Sequence, residues 1–191
     1  MEKVTPLEYG KYYHIYNRGI NKAPLFFEKA NYEYFMRLYA KHVDPVAETY
    51  AWCLMKNHFH LLVRIKDQDQ VNSTKEPYQY FSNLFNAYAK GINKRYDRCS
   101  SLFQARFKRK VVDSDDYFKR LVVYIHNNPV SHGICRSKMD YPWSSYLVHL
   151  SEQQTSLRRS ETIQMFNDLD NFKFMHHQNL HFEFNEEDLL I

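Results

Sequence analysis

The stretch Asn57-His58-Phe59-His60-Leu61-Leu62-Val63 constrains the fold of this chain more than any other. Side chains along a strand alternate between faces with a period of 2. His58 and His60 therefore share one face, while Phe59, Leu61, Val63 and Ile65 fill the other. The pattern describes a buried β-strand, and a buried strand needs neighbours on both sides. Two imidazoles side by side on a rigid pleat also form half of a divalent-metal site.

The elements around this strand follow from local pattern. Residues 12–16 form a short aromatic strand, ended by the turn residues Asn17-Arg18-Gly19. Residues 31–42 carry Tyr34, Phe35, Leu38 and Tyr39 at helical spacing, with Asn31 as N-cap. Residues 49–55 and 58–65 read as two strands joined by a tight turn at Lys56-Asn57. Residues 77–96 place Tyr80, Leu84, Phe85, Tyr88 and Ile92 on one face of a long helix with a basic end. Residues 103–112 alternate as a further strand. Asp113-Ser114-Asp115-Asp116 then opens a helix with a cap and first-turn acids. Pro129 is expected to stop that helix at Asn127 or Asn128, because helical geometry is disfavoured before proline. The order β-α-β-β-α-β plus a helix is the split arrangement of ferredoxin-like α+β folds, an antiparallel sheet with helices on one face. Residues 1–150 make up this domain. Residues 151–191 form an acidic extension, with a helix at 161–169 and then a tail that is partly disordered.

The helix after Ser114 brings in the chemistry. Tyr124 and Asn128 are four residues apart, so they share a face about one turn apart. If that face covers the histidines, Asn128 can add an amide oxygen to His58 and His60, and the Tyr124 phenol stands beside the ion. Two neutral imidazoles leave Mg²⁺ or Mn²⁺ its full double charge for polarising a phosphodiester. A phenol, with a pKa near ~10, needs such a cation to become a useful nucleophile. Tyr117, seven residues earlier on the same face, is the rival. His126 faces away and reads as structural.

Charge points to the partner. The chain of 191 residues carries only +4, but residues 90–110 hold eight Lys/Arg against one acid, Asp97. From Glu152 onward eight acids face three bases. A basic middle fits a polyanion. Gln104, Arg106, Lys108 and Lys110, with Lys90, Lys94, Arg95 and Arg18, could track a phosphate backbone. Aromatics such as Phe103, Phe107, Tyr12 and Tyr13 could stack unpaired bases. Cys53, Cys99 and Cys135 are odd in number and widely spaced, which fits neither a disulfide framework nor a zinc knuckle. There is no leader-like start and no apolar run of the ~20 residues a membrane span needs. A cytoplasmic protein is expected.

Five segments resemble one family, the REP-associated tyrosine transposases of the HUH single-strand endonuclease superfamily. They are Tyr13-His14-Ile15-Tyr16-Asn17-Arg18-Gly19, Met55-Lys56-Asn57-His58-Phe59-His60-Leu61-Leu62, Leu102-Phe103-Gln104-Ala105-Arg106-Phe107-Lys108, Tyr124-Ile125-His126-Asn127-Asn128-Pro129-Val130 and Tyr141-Pro142-Trp143-Ser144-Ser145-Tyr146. The resemblance implies an HUH-type fold, with His58 and His60 as the metal-binding pair and Asn128 where insertion-sequence relatives carry Gln as third ligand. It implies that Tyr124 attacks single-stranded DNA to form a 5′-phosphotyrosine link. Hairpins from imperfect palindromes are the implied substrates, Mg²⁺ or Mn²⁺ the cofactor, and a monomer or homodimer the assembly. Two other readings share the fold. One is a DNA- or RNA-binding module that has lost cleavage; the other is a rolling-circle initiator or relaxase, from which the Pro142-Trp143-Ser144-Ser145-Tyr146 segment points away.

Overall fold

The computed structural model describes residues 6–104 and 106–178. The tail expected beyond residue 178 lies outside them. Four strands, β1 (Tyr12–Arg18), β2 (Ala47–Met55), β3 (His58–Ile65) and β4 (Lys108–Val112), form one antiparallel sheet in the order β2-β3-β1-β4. Helix α1 (Lys29–His42) links β1 to β2, and α2 (Pro77–Arg95) links β3 to β4. This is the ferredoxin-like α+β arrangement. Among the described residues, no helix is long and apolar enough to cross a membrane.

The sheet separates two cores. On one face Tyr13 and Ile15 of β1 and Phe59, Leu61, Val63 and Ile65 of β3 meet Phe35 of α1 and Phe81, Leu84, Phe85 and Tyr88 of α2. The other face is covered too, contrary to the one-sided expectation. Ala51, Cys53, Met55, Leu62 and Val112 give it an apolar surface that water would leave exposed. Helix α3 (Asp115–Ser131) buries that surface with Phe118, Leu121, Val122 and Ile125. The short helices α4 (Tyr146–Leu150), α5 (Arg159–Met165) and α6 (Leu169–His177) extend this second core through Tyr146, Phe166 and Phe172.

Four local expectations change. Helix α1 starts earlier, with Glu28 as N-cap and Asn31 at the third position of a capping box. Strand β4 begins only at Lys108. Gly19 bridges Phe103 while Tyr16 pairs with Lys108, so three steps on β1 oppose five on the partner. On either side of that mismatch, Phe103 and Phe107 both enter the first core. Finally, α3 continues through Pro129 to Ser131. Gly133 closes it, at φ +67, with Gly133 N–H donating to Val130 C=O and Ile134 N–H to Pro129 C=O. That paired closure is a Schellman motif, so the glycine sets the end and the proline does not. The helix expected at 161–169 is broken in two at Asn167, where φ is +74.

Candidate active site

The central position of β3 fixes its histidines. His58 lies opposite Arg18 on β1 and Met55 on β2, and His60 opposite Tyr16 and Cys53. Both side chains are buried, with ring centroids 5.3 Å apart and planes at 82°. Helix α3 crosses directly above. The Tyr124 ring stands edge-on to His60 at 5.3 Å, and Asn128 Oδ1 lies 3.2 Å from His58 Nε2. The phenol, the amide and the two imidazoles therefore meet within a single chain.

The donor set fits a cation on a proton count. Burial holds His58 neutral, with its pKa down to about 4, and holds His60 well below its ordinary value. A neutral imidazole has one proton to donate. Yet Nδ1 of His58 faces Asn57 Oδ1 at 2.8 Å and Nε2 faces Asn128 Oδ1, and both oxygens can only accept. With the proton donated to Asn57, a nitrogen lone pair and an oxygen lone pair face each other across 3.2 Å. Adjacent octahedral ligands at ~2.1 Å from Mg²⁺ would be about 3 Å apart. His60 Nε2 and Asn128 Nδ2 are also buried and, among the described residues, have no hydrogen-bond partner. Such orphaned buried atoms ask for an explanation, and an ion supplies one for the imidazole. Among the described residues no group of three His, Cys, Asp or Glu side chains could hold a metal, so the set depends on the Asn128 amide.

The rival tyrosine stands elsewhere. Seven helical residues separate Tyr117 from Tyr124, a rise of about 10 Å. Lys110 Nζ lies over the Tyr117 ring at 5.6 Å, while Tyr124 holds the position over the histidines. His126 points the other way and is fully buried. Its Nδ1 lies 2.9 Å from His176 Nε2 and its Nε2 2.8 Å from Ser145 Oγ, so its contacts are internal to the second core.

The basic residues divide between the two sides of the sheet. Arg18, Lys108 and Lys110 align with His58, Tyr16 and His14 and share the histidine face. Gln104 and Arg106 are exposed, and Gln104 N–H donates to Arg18 C=O at 2.7 Å. Lys90, Lys94 and Arg95 ride on α2, which packs against the opposite face. Arg95 is ion-paired with Glu28 at 2.6 Å. Phe103, Phe107 and Tyr13 are buried in the first core, which removes them as stacking surfaces for bases, and Tyr12 packs in the second core.

Two histidines at the site were absent from the sequence-based set. His14 lies on the histidine face of β1, its Nε2 2.9 Å from His60 Nδ1. His132 caps α3 with its ring 5.1 Å from His58. It falls four residues after Asn128 and eight after Tyr124, a spacing that could have revealed it. A lone histidine in an aromatic strand, like His14, carries no comparable signal.

A ferredoxin-like sheet thus carries paired histidines on its central strand β3, crossed by a helix that bears Tyr124 and Asn128. Residues 8–128 match the family model described as "Transposase IS200 like", and the chain belongs to that family. A curated protein of Haemophilus influenzae described as a REP-associated tyrosine transposase is 29% identical over 103 residues. That match spans 52% of this chain and 58% of the relative's own length, little more than half of either. A solved structure of a REP-associated tyrosine transposase bound to a REP hairpin superposes with a TM-score of 0.66. It covers 80% of this chain and 86% of that one at 18% identity, a likeness of fold.

Proposed function

We propose that this chain nicks and rejoins hairpin-containing single-stranded DNA, with Tyr124 as nucleophile and a divalent ion at His58, His60 and Asn128. One juxtaposition carries the reading. The Tyr124 ring lies 5.3 Å from His60 on the helix that brings Asn128 within 3.2 Å of His58. The hairpin is carried over from the solved relative, which is bound to one.

In this reading the Tyr124 oxygen attacks a backbone phosphorus. The new O–P bond forms as the P–O3′ bond breaks, and the phenolic proton ends on the released 3′-hydroxyl. The 5′ end stays on the protein as phosphotyrosine. Attack by that hydroxyl, or by another, reverses the exchange and restores Tyr124, so no external energy source is needed. Mg²⁺ or Mn²⁺, when bound, supplies double positive charge at the scissile phosphate. The chain itself keeps His58 and His60 neutral by burial, and so leaves that charge undiminished. Arg18, Lys108 and Lys110, on the same face, lead the strand to the site.

The test is a screen of hairpin oligonucleotides labelled at the 5′ end, with Mg²⁺, with Mn²⁺ and with chelator. Cleavage that requires the metal and is lost in Tyr124→Phe supports the proposal. Hairpin binding indifferent to chelator, with no scission, would leave a binding module instead.

A further inference from the structure

His14 is fully buried beside His60, yet the sheet's packing alone does not call for an imidazole there. Its Nε2 lies 2.9 Å from His60 Nδ1. The outward nitrogens of the pair, His14 Nδ1 and His60 Nε2, are buried and have no hydrogen-bond partner among the described residues. Tyr16 stacks on His14 with ring centroids 4.6 Å apart, and the His14 and His60 rings lie edge to edge, centroids 5.1 Å apart, along that nitrogen contact.

Only one proton fits between two nitrogens at this distance, so the neutral pair has two forms. In one, His60 donates through Nδ1 and its Nε2 is a bare lone pair. In the other, His14 donates, and Nε2 of His60 keeps its proton and cannot ligate.

We propose that His14 is a positioning residue: by accepting the Nδ1 proton of His60 it selects the tautomer whose Nε2 faces the ion. The inference rests on reading His58, His60 and Asn128 as that ion's ligands. Outer-shell partners of metal-bound histidines fix tautomer and ring orientation in this way, and losing one costs roughly 10- to 100-fold in affinity.

The experiment titrates the full-length chain with Mn²⁺ by calorimetry, comparing wild type, His14→Leu and His14→Gln. Long-range proton–nitrogen NMR of the Mg²⁺-loaded wild type reads the His60 tautomer. Leucine offers no acceptor, so Mn²⁺ affinity should fall ~10- to 100-fold with the far-ultraviolet spectrum unchanged. Glutamine keeps an acceptor and should stay within about threefold of wild type. The NMR should show the His60 proton on Nδ1. Equal affinity in His14→Leu, or a proton on Nε2 of His60 in the loaded protein, overturns the inference while leaving the ion site standing. If His14→Leu does not fold, the glutamine variant and the NMR decide. Failure of the underlying reading is distinct: wild type would bind no Mn²⁺, or His60→Ala would bind it as tightly as wild type, and the role given to His14 would fall with it.

Discussion

At the scale of single residues, the site is defined by side chains that have run out of ordinary partners. Asn128 shows this best, with its oxygen facing an imidazole nitrogen and its buried NH₂ unbonded. Asn128→Ala should weaken Mn²⁺ binding at least ~10-fold while shifting the unfolding midpoint little, measured by calorimetry and urea titration. Unchanged affinity would remove Asn128 from the ligand set. Gly19 constrains the site from outside. A methyl group there would clash with Ala23 C=O, and Gly19 N–H donates at 2.8 Å to the C=O of Asn57, the residue whose side chain holds His58. Gly19→Ala should cost ~1–3 kcal/mol in urea unfolding, as overpacking against backbone does. A wild-type midpoint would contradict this. The sharing of a face by His58 and His60 was legible because a period of 2 is a property of the strand alone. The place of His14 was not, because it depends on the register between β1 and β3, which no local pattern states.

At the scale of elements, strands and helices were readable wherever one local rule acted unopposed. Strand β3 and helix α2 follow their apolar periodicities, and Ser114 caps α3 by accepting from Tyr117 N–H. The misses came where two rules competed. At β4 the burial of both Phe103 and Phe107 broke the ladder, and at α3 a Gly133 closure outweighed the bias set by Pro129. Helix α6 illustrates a tertiary effect. Its His176 and the nearby His149 of α4 are buried, and burial lowers their pKa to about 3 and about 4 from 6.5. Lys138 and His177 beside His176, and Arg159 beside His149, add repulsion toward a proton. Unfolded, these imidazoles take up protons below pH ~6.5, whereas the folded chain does not until far lower. Stability should therefore be full above that pH and fall as pH drops, by up to ~1.4 kcal/mol per unit for each imidazole. Urea midpoints at pH 7.5, 6 and 5 check the sign, and a flat profile would contradict it.

At the scale of the whole molecule, the sheet divides the labour. One face is an aromatic core under α1 and α2; the other carries the histidines, α3 and the short C-terminal helices. The basic run from Lys90 to Lys110 looked like a single surface in sequence but divides across the sheet, because α2 and β4 present their charges on different sides. Lys108→Ala should therefore weaken binding to single-stranded DNA and flatten its salt dependence by a slope of about 0.7. Lys94→Ala should leave that slope nearly intact. The reverse order would move the binding surface to α2. The antiparallel architecture was legible from element order, whereas the crossing of α3 over β3 is a long-range contact that sequence spacing alone does not fix.

That crossing sets Tyr124 over His60 and Asn128 against His58. The measurement that reaches it directly is mass mapping of the protein after reaction with a cleavable hairpin strand and Mn²⁺. The peptide containing Tyr124 should carry the nucleotide through a phosphotyrosine bond, and the adduct should vanish in Tyr124→Phe while persisting in Tyr117→Phe. A nucleotide attached to Tyr117 or to any other side chain, or cleavage with no covalent adduct at all, would contradict it.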